Sequence, residues 1–399
     1  MDLNQTPSAN RTHIAFFGMR NAGKSSLMNA VTGQNIAVVS DIKGTTTDPV
    51  LKSMELLPLG PVTIIDTAGL DDDGLLGKLR TEKTLQILRK TDIAVLVIDS
   101  TCGISSFDTE ILNLITKQQI PYIIAYNKID LQPSLKQQLK TNEHTLFVSS
   151  TTREGIDNLK EKLASFAKTK SEKFILKDII KPKDIVVLVI PIDKAAPKGR
   201  LILPQQQVIR ELLDIRATAV MTQDVNLTDT LHNLKTKPRL VITDSQAFAK
   251  VNKIVPEDIE LTSFSILFSR YKGNLQRQVQ AVKTLDTIKD DDKILIAEGC
   301  THHRQCDDIG TVKLPNWIRN YTKAKPKFIF TSGTEFPQNV SDYKLIIHCG
   351  GCMLNEREMQ ARLKIAKDQN IPMSNYGTAI AYMNGILQRT IRPLHFFDE

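Results

Sequence analysis

The sequence predicts an α/β protein of more than one domain, in which parallel sheets are covered by helices. Short apolar runs rich in β-branched residues, such as 185–190, alternate along the chain with stretches of helical spacing, such as 205–215. This alternation is typical of parallel sheets. With 399 residues the chain is also too long for one ordinary core, so two or three domains are expected.

Composition and charge favour a globular cytoplasmic protein with no membrane partner. Hydrophobic residues make up 41% of the chain, and no apolar run approaches the length of a membrane span. The N-terminal residues lack the basic and apolar regions of a signal peptide. In the reducing cytoplasm, the five cysteines are better explained as ligands or core residues than as disulfides. The net charge of +8 comes from scattered lysines, so a solvated surface is favoured over a nucleic-acid partner.

The first motif follows a predicted strand at 13–17. The sequence GMRNAGKS, which ends at Ser25, is a full match to GxxxxGK(S/T), and a helical stretch begins at Ser26. Glycines let the backbone N–H groups of such a loop surround a β-phosphate. The Lys24 ammonium neutralises phosphate oxygens, the Ser25 hydroxyl serves Mg²⁺, and the helix N-terminus adds partial positive charge. The expected nucleotide contacts here are Gly18, Asn21, Ala22, Gly23, Lys24, Ser25 and Ser26.

Two further motifs are predicted to hold Mg²⁺ and the γ-phosphate. A strand ends in the sequence DTAG, in which the Asp66 carboxylate is placed to hold the Mg²⁺ shell through water and the Gly69 N–H to sense the γ-phosphate. Upstream, the sequence GTTTD is a plausible switch that contains Thr45 and Thr46, and Thr46 is the expected partner of Mg²⁺ and the γ-phosphate. The predicted hydrolytic set is therefore Lys24, Ser25, Thr46, Asp66 and Gly69.

The base is predicted to be read by an NKxD motif at the end of another strand. Asn127, Lys128 and Asp130 form this motif. The Asp130 carboxylate can accept two hydrogen bonds from the edge of guanine, which adenine does not offer, so the motif selects GTP over ATP. A last strand ends at Ser149 and Ser150, where the backbone can cover the guanine O6.

These motifs, in this order, make the first part of the chain resemble a Ras-like P-loop GTPase. The sequences GTTxD and DTAGL resemble the tRNA-modification and ribosome-assembly branch. Leu70 stands where Ras-like proteins place a water-orienting glutamine. Members of the branch with an asparagine at the position of Asn21 often use bound K⁺ as charge stabiliser. Asn21 could therefore hold K⁺, or it could serve as a loop former that tolerates unusual backbone angles.

The middle of the chain is predicted to be a small α/β domain that serves as a scaffold. Strands are expected at 185–190, 217–221 and 239–242, and helices at 205–215 and 246–253. The sequence shows no acid pair, nucleophile or ligand cluster in this region. Because a domain with a core and no site commonly acts as a scaffold, homodimerisation is the hypothesis for it.

The last part of the chain carries two groups of metal-type ligands. Strands are expected at 293–300, 327–333 and 343–349, and helices at 275–285 and 356–367. Cys300 ends the first strand, with His302 just beyond it, whereas His348 and Cys349 end the third strand and Cys352 follows it. Ligands collect at the carboxyl ends of parallel strands, so the two groups are expected to meet in one site.

By residue type alone, this site suits zinc and an iron–sulfur cluster about equally. Cys300, His302, Cys349 and Cys352 could make a four-ligand zinc site. The three cysteines also suit three irons of a 4Fe–4S cluster, whose fourth iron would stay open or take a histidine or an exchangeable ligand. The glycine pair 350–351 allows close approach and N–H···S hydrogen bonds.

The sequences CTHH, DDIG and HCGGCMLN, behind a GTPase region, make the whole chain resemble the FeFe-hydrogenase maturation GTPase family. That family has a CxH motif followed by HCxxC. The resemblance implies a 4Fe–4S cluster on Cys300, Cys349 and Cys352, with His302 and His348 as ligands or as contacts of the cluster or its cargo. It also implies a scaffold or carrier of the di-iron precursor, with apo FeFe-hydrogenase and radical-SAM maturases as partners.

The expected domain order is a GTPase domain at 1–173, a dimerisation domain at 174–265 and a cluster-binding domain at 266–399. GTP, Mg²⁺ and a 4Fe–4S cluster are the expected ligands, and K⁺ is one of the two alternatives for Asn21. The alternative function is an RNA- or ribosome-associated GTPase with a structural zinc site, although the sequence of the last two domains shows no KH-type clamp or aromatic platform.

Overall fold

The computed structural model describes residues 6–34, 50–67, 77–139, 142–168, 173–192, 201–299, 308–333 and 335–394. The chain divides into two compact units, Met1–Ser171 and Glu172–Glu399. Strands and helices alternate in both, which confirms the predicted α/β fold class. Throughout these described ranges, no helix is long and apolar enough to cross a membrane. The three-domain division and the cytoplasmic location stay predictions.

The first unit is a mixed sheet between helices. Its strands are β1 (Thr12–Phe17), β2 (Val50–Leu56), β3 (Gly60–Asp66), β4 (Ile93–Asp99), β5 (Tyr122–Asn127) and β6 (Thr145–Phe147). Its helices are α1 (Lys24–Thr32), α2 (Gly77–Lys90), α3 (Ser106–Lys117), α4 (Leu135–Gln138) and α5 (Ile156–Lys168), preceded by a 3-10 turn at Ser8–Asn10. The strand order is β2-β3-β1-β4-β5-β6, and β2 is antiparallel to β3 while the other pairs are parallel.

The register of this sheet brings the motif-bearing strand ends together. Phe16 of β1 pairs with Asp66 of β3, and Asp99 of β4 pairs with Asn127 of β5. Both faces of the central strands are covered, because alternate β1 residues lie in separate apolar cores on the two sides. The loops after β1, β3 and β5 therefore start from the same edge of the sheet.

The second unit begins with a parallel sheet of order β10-β9-β7-β8. Its strands are β7 (Ile185–Val189), β8 (Thr218–Thr222), β9 (Leu240–Thr243) and β10 (Glu260–Ser263). The accompanying helices are α6 (Leu203–Ile215), α7 (Leu227–Asn233), α8 (Phe248–Ile254), with a 3-10 turn at Ser245–Ala247 before it, and α9 (Phe264–Lys272). Residues 267–273, at the start of the predicted cluster-binding domain, belong to the end of α9 and the residue after it.

A second parallel sheet, of order β12-β11-β13-β14, follows in the same unit. Its strands are β11 (Lys293–Ala297), β12 (Lys327–Thr331), β13 (Leu345–His348) and β14 (Met373–Asn375). Its helices are α10 (Leu275–Ala281), α11 (Leu314–Thr322), α12 (Glu356–Asp368), α13 (Tyr376–Met383) and α14 (Leu387–Ile391). Short helices of other types lie at Val282–Thr287, Ile309–Lys313 and Arg392–Leu394.

Helix α9 joins the two sheets of the second unit through one apolar core. Its buried side chains Phe264, Leu267 and Phe268 pack in a cluster that includes Leu188 of β7 and Ile347 of β13. The opposite face of the second sheet packs against α12 through a separate cluster. The residues that follow β13 therefore extend from a strand that is covered on both faces.

Candidate functional site

The glycine-rich loop leaves β1 in close contact with the neighbouring strands. Gly18 has a φ of +137°, and a Cβ there would lie 2.1 Å from the carbonyl oxygen of Val97. Gly23 has a φ of +85°, and a Cβ there would lie 2.3 Å from the side-chain nitrogen of Asn127. Only glycine fits these two positions, so the loop follows a path that side chains would block.

Asn127 connects the glycine-rich loop to the turn after β6. Its side chain is fully buried. The amide nitrogen donates to the Ala22 carbonyl at 3.0 Å, and the amide oxygen accepts from the Ser150 N–H at 3.1 Å. The Ser149 hydroxyl in turn accepts from the Thr152 N–H at 3.0 Å. The predicted phosphate and base ends of the site are therefore tied together by one side chain.

Lys24 and Ser25 belong to the first turn of α1. The Lys24 ammonium is buried and donates to the Gly18 carbonyl at 2.6 Å and the Met19 carbonyl at 2.9 Å. Ser25 is half-buried in the first turn of α1, Ser26 beside it is exposed, and Asp66 is half-buried at the end of β3. Thr45, Thr46 and Gly69 lie outside the described residues.

The Asp130 carboxylate of the NKxD segment has one oxygen that can accept a further hydrogen bond. Within the described ranges, the buried Oδ1 of Asp130 has no hydrogen-bond partner. Lys128 donates to the Asp99 carboxylate at 2.6 Å. Burial alone would raise the pKa of Asp99, but the hydrogen bonds from Lys128 and Thr101 lower it below its ordinary value of 3.8. Because an unpaired buried oxygen is costly, the donors of a guanine edge fit this position.

Asn21 has a left-handed backbone and an exposed side chain. Its φ is +64°, an angle that asparagine tolerates better than most residues. This geometry agrees with the loop-former explanation. Holding K⁺ stays a prediction.

The cysteine turn begins where β13 passes the end of β11. His348 pairs with Ala297 in the parallel register, and the Cys349 N–H donates to the Ala297 carbonyl at 2.9 Å. The Cys349 sulfur accepts from the N–H groups of Gly299, at 3.0 Å, and Gly351, at 3.4 Å. Gly299 directly precedes Cys300 in the sequence. The predicted meeting of strand ends is therefore observed as far as the described residues reach, whereas Cys300 and His302 lie outside them.

The Cys352 thiol sits in an environment that disfavours its free thiolate. Burial raises the pKa of Cys352 to about 11, the nearby Cys349 adds to the rise, and the positive charge of Lys272 opposes it. A bound metal ion would replace the thiol proton, so metal binding would release protons.

His348 is engaged on both ring nitrogens. The side chain is fully buried, with Nε2 3.0 Å from Nη1 of Arg362 and Nδ1 2.7 Å from the carbonyl oxygen of Cys349. A guanidinium can only donate and a carbonyl can only accept, so Nε2 is the acceptor and Nδ1 carries the proton. In this arrangement, neither nitrogen is left for a metal, so the geometry favours a supporting role for His348 over the predicted ligand role.

The sequence patterns missed two buried cations behind the cysteine turn. Arg362 of α12 is fully buried, pairs with Glu358 at 3.0 Å and donates to the Gly333 carbonyl at 2.6 Å. Lys272 of α9 is 2% exposed and donates to backbone carbonyls of the turn. The i,i+4 spacing of Glu358 and Arg362 is a signal of an ion pair on one helix face, but it gives no hint of burial.

The described donor set fits an iron–sulfur centre in part. Within the residues that the structure describes, no group of three His, Cys, Asp or Glu side chains is arranged to hold a metal ion. Two cysteine sulfurs, one of them accepting backbone N–H groups, are nevertheless the donor chemistry of such clusters, whose potentials depend on hydrogen bonds to sulfur. The third predicted thiolate belongs to Cys300.

Three family models match the chain. The hydrogen maturase F dimerization domain matches residues 175–273, and the hydrogen maturase F tetramerization domain matches residues 276–393. The 50S ribosome-binding GTPase model matches residues 13–128.

Known proteins are similar to the first part of the chain. The tRNA modification GTPase MnmE of Chromobacterium violaceum is 39% identical over 38% of this chain and 34% of its own length. GTPase Der of Kosmotoga olearia is 34% identical over 41% of this chain and 40% of its own length. The solved structure of Aquifex aeolicus Era is 20% identical, with a TM-score of 0.34, and is matched over 53% of this chain and 92% of that one. The chain thus spans only about a third to two fifths of these curated relatives.

The two hydrogen maturase F models together match more than half of the chain, and they follow the GTPase match in sequence. The chain matches both a dimerization and a tetramerization domain, and domains with these names indicate self-association. The chain therefore belongs to the hydrogen maturase F family, with a P-loop GTPase domain that matches the 50S ribosome-binding GTPase model and is similar to tRNA modification GTPases.

Proposed function

We propose that the chain binds and hydrolyses GTP. The observation that carries this proposal is the buried, unpaired Oδ1 of Asp130, which suits the donors of guanine. Lys24 would neutralise the phosphates, Ser25 and Thr46 would hold Mg²⁺, Asp66 would serve its water shell, and the Gly69 N–H would contact the γ-phosphate. Bound Mg²⁺ supplies neutralisation of the charge that develops on the phosphates. The protein contributes position and charge rather than a covalent intermediate.

We further propose that the second unit holds a 4Fe–4S cluster on Cys300, Cys349 and Cys352. Support comes from the Cys349 sulfur, which accepts two backbone N–H groups at the end of a parallel strand. With three protein thiolates, one iron keeps a position for an exchangeable ligand or for cargo. His348 then positions the turn through its bonds to Cys349 and Arg362.

The chain would use this site as a scaffold or carrier during hydrogenase maturation. Its cargo would be the di-iron precursor, and its partners would be apo FeFe-hydrogenase and the radical-SAM maturases. Residues 174–265 would form the homodimer contact, in line with the dimerization model that matches this region. Light scattering that gives the mass of one chain at every protein concentration would refute the dimer.

Anaerobic purification tests the cluster assignment. A brown protein with about four irons per chain is expected, and Cys349→Ser and Cys352→Ser should each lower the iron content. The Cys102→Ser variant is the matched control, because Cys102 is an exposed thiol of the first unit. A colourless protein with one zinc per chain would refute the cluster and support the alternative RNA- or ribosome-associated GTPase.

A further inference from the structure

Lys272 holds the cysteine turn from behind. It ends helix α9, and its side chain is 2% exposed. Its ammonium donates to the carbonyl oxygen of Cys352 at 3.2 Å and to that of Leu354 at 2.9 Å. Its own carbonyl oxygen accepts from the side-chain nitrogen of Gln360 at 2.8 Å, which fixes α9 to α12. The turn is therefore attached to two helices through one lysine.

The charge of this lysine lacks a full counter-charge among the described side chains. Its hydrogen bonds go to neutral carbonyls. Glu356 is close enough to act on it, but 42% of that side chain is exposed and it is bonded to Lys173 at 2.5 Å. Burying a cation without a paired anion is costly. An anion at the cysteine turn would offset that cost.

The ammonium of Lys272 lies within hydrogen-bond distance of two carbonyl oxygens, and such acceptors favour its protonated form. One of these carbonyls belongs to Cys352, so the positive charge lies beside the turn that carries Cys349 and Cys352. A cluster bound to three thiolates is itself anionic, and it gains one more negative charge on one-electron reduction.

We propose that Lys272 is a positioning residue of the cluster site, whose ammonium orders the turn that carries Cys352 and stabilises the reduced cluster. The inference rests on the proposed function of the cysteine site. The inference predicts that the cluster is easier to reduce than a cluster on the same three thiolates would be without the buried charge of Lys272. The electron comes from an external reductant, and no bond to Lys272 forms or breaks.

The test compares substitutions that separate charge from hydrogen bonding. Lys272→Gln keeps an N–H donor without the charge, Lys272→Met removes both, and Lys272→Arg keeps both. Lys364→Met, at an exposed position of α12, is the matched control for the loss of one positive charge. Each full-length variant is reconstituted anaerobically with iron and sulfide. It is then assayed for iron content and titrated with dithionite at pH 7 while electron paramagnetic resonance follows the reduced cluster.

The uncharged variants should shift the reduction equilibrium at least tenfold toward the oxidised cluster, which is about 59 mV for one electron. Lys272→Arg and Lys364→Met should stay within twofold of the wild type. Loss of iron from the two uncharged variants, with retention in Lys272→Arg, would also support the inference.

Two kinds of result would overturn it. A Lys272→Gln protein that loads iron and titrates within twofold of the wild type would show that the charge does not act on the cluster. The same conclusion would follow if Lys272→Arg behaved like Lys272→Met. A wild-type chain that binds no iron would instead refute the proposed cluster function, and the inference with it, so the two failures are distinguishable.

Discussion

Replacing Arg362 with methionine tests whether an ionic network supports the cysteine turn. Methionine fills much of the volume but offers no donor to Glu358, His348 or the Gly333 carbonyl. Glu358 is 1% exposed, so its carboxylate would stay buried without its cation. Breaking a buried pair in this way costs about 3–5 kcal/mol, and each acceptor left unpaired adds about 1–3 kcal/mol. We expect the free energy of unfolding to fall by about 4 kcal/mol or more.

The single tryptophan of the chain makes the measurement local to the second unit. Trp317 lies in α11 and packs against the core on the face of the second sheet opposite α12. Its fluorescence during a urea titration reports the unfolding of this unit. With a slope of about 3 kcal/mol per molar urea, the midpoint should fall by more than about 1 M. Lys364→Met removes an exposed charge from the same helix and should stay within about 0.5 kcal/mol of the wild type.

A double variant separates the ion pair from the rest of the network. Glu358→Met combined with Arg362→Met removes both charges, so the penalty for an isolated buried carboxylate disappears. We expect the double variant to recover about 2 kcal/mol relative to Arg362→Met alone. A single variant that costs less than about 1 kcal/mol, or a double variant no more stable than the single, would refute this reasoning.

The first unit gives three further predictions. Asp130→Asn should weaken GTP binding by at least about 100-fold in nucleotide titrations. The variant should prefer xanthosine triphosphate, because the base of that nucleotide offers a carbonyl to the new amide. Unchanged GTP affinity would contradict this prediction. Asn21→Gly keeps the left-handed backbone without the amide, so stimulation of GTP hydrolysis by K⁺ over Na⁺ should disappear while GDP affinity stays within about twofold. The lowered pKa of Asp99 means that its bond to Lys128 stabilises the fold above pH 3.8 and is lost as the pH falls through the lowered value. Lys128→Met should therefore reduce hydrogen-exchange protection of β4 and β5 at pH 6, and by progressively less as the pH is lowered below 3.8 through the lowered pKa of Asp99. A loss of protection that does not change over an acid titration would exclude this linkage.

Periodicity and motif spacing were enough to predict many of the strands and the residues at their ends. The strands predicted at 293–300 and 327–333 begin at the same residues as β11 and β12, which end three and two residues earlier than predicted. Their starts were predictable because short β-branched segments form buried strands in parallel sheets. Asp66 and Asn127 lie at strand ends because their motifs require that context. Because ligands gather at the carboxyl ends of parallel strands, it was also possible to predict that the Cys349 turn would contact the residues after β11.

The supports of the cysteine turn could not be predicted, because they depend on tertiary contacts. The sequence predicted a helix at 356–367, but not that Arg362 would be the most deeply enclosed large side chain of α12. Lys272 ends α9, close to the predicted start of the cluster-binding domain. Local sequence describes both cations as ordinary surface residues, and only the packing of α9 and α12 around the turn makes them interior.

The way the HCGGC segment is held bears on whether its chemistry can be moved to another protein. The pentapeptide brings the two sulfurs, but its conformation depends on the Arg362 bond to His348 and on the Lys272 bonds to the carbonyls behind it. Those side chains come from helices before and after it in the chain. A graft of the five residues onto a foreign strand end would transfer the ligands without their scaffold. A transplant that aims to work should carry α9, β13 and α12 together.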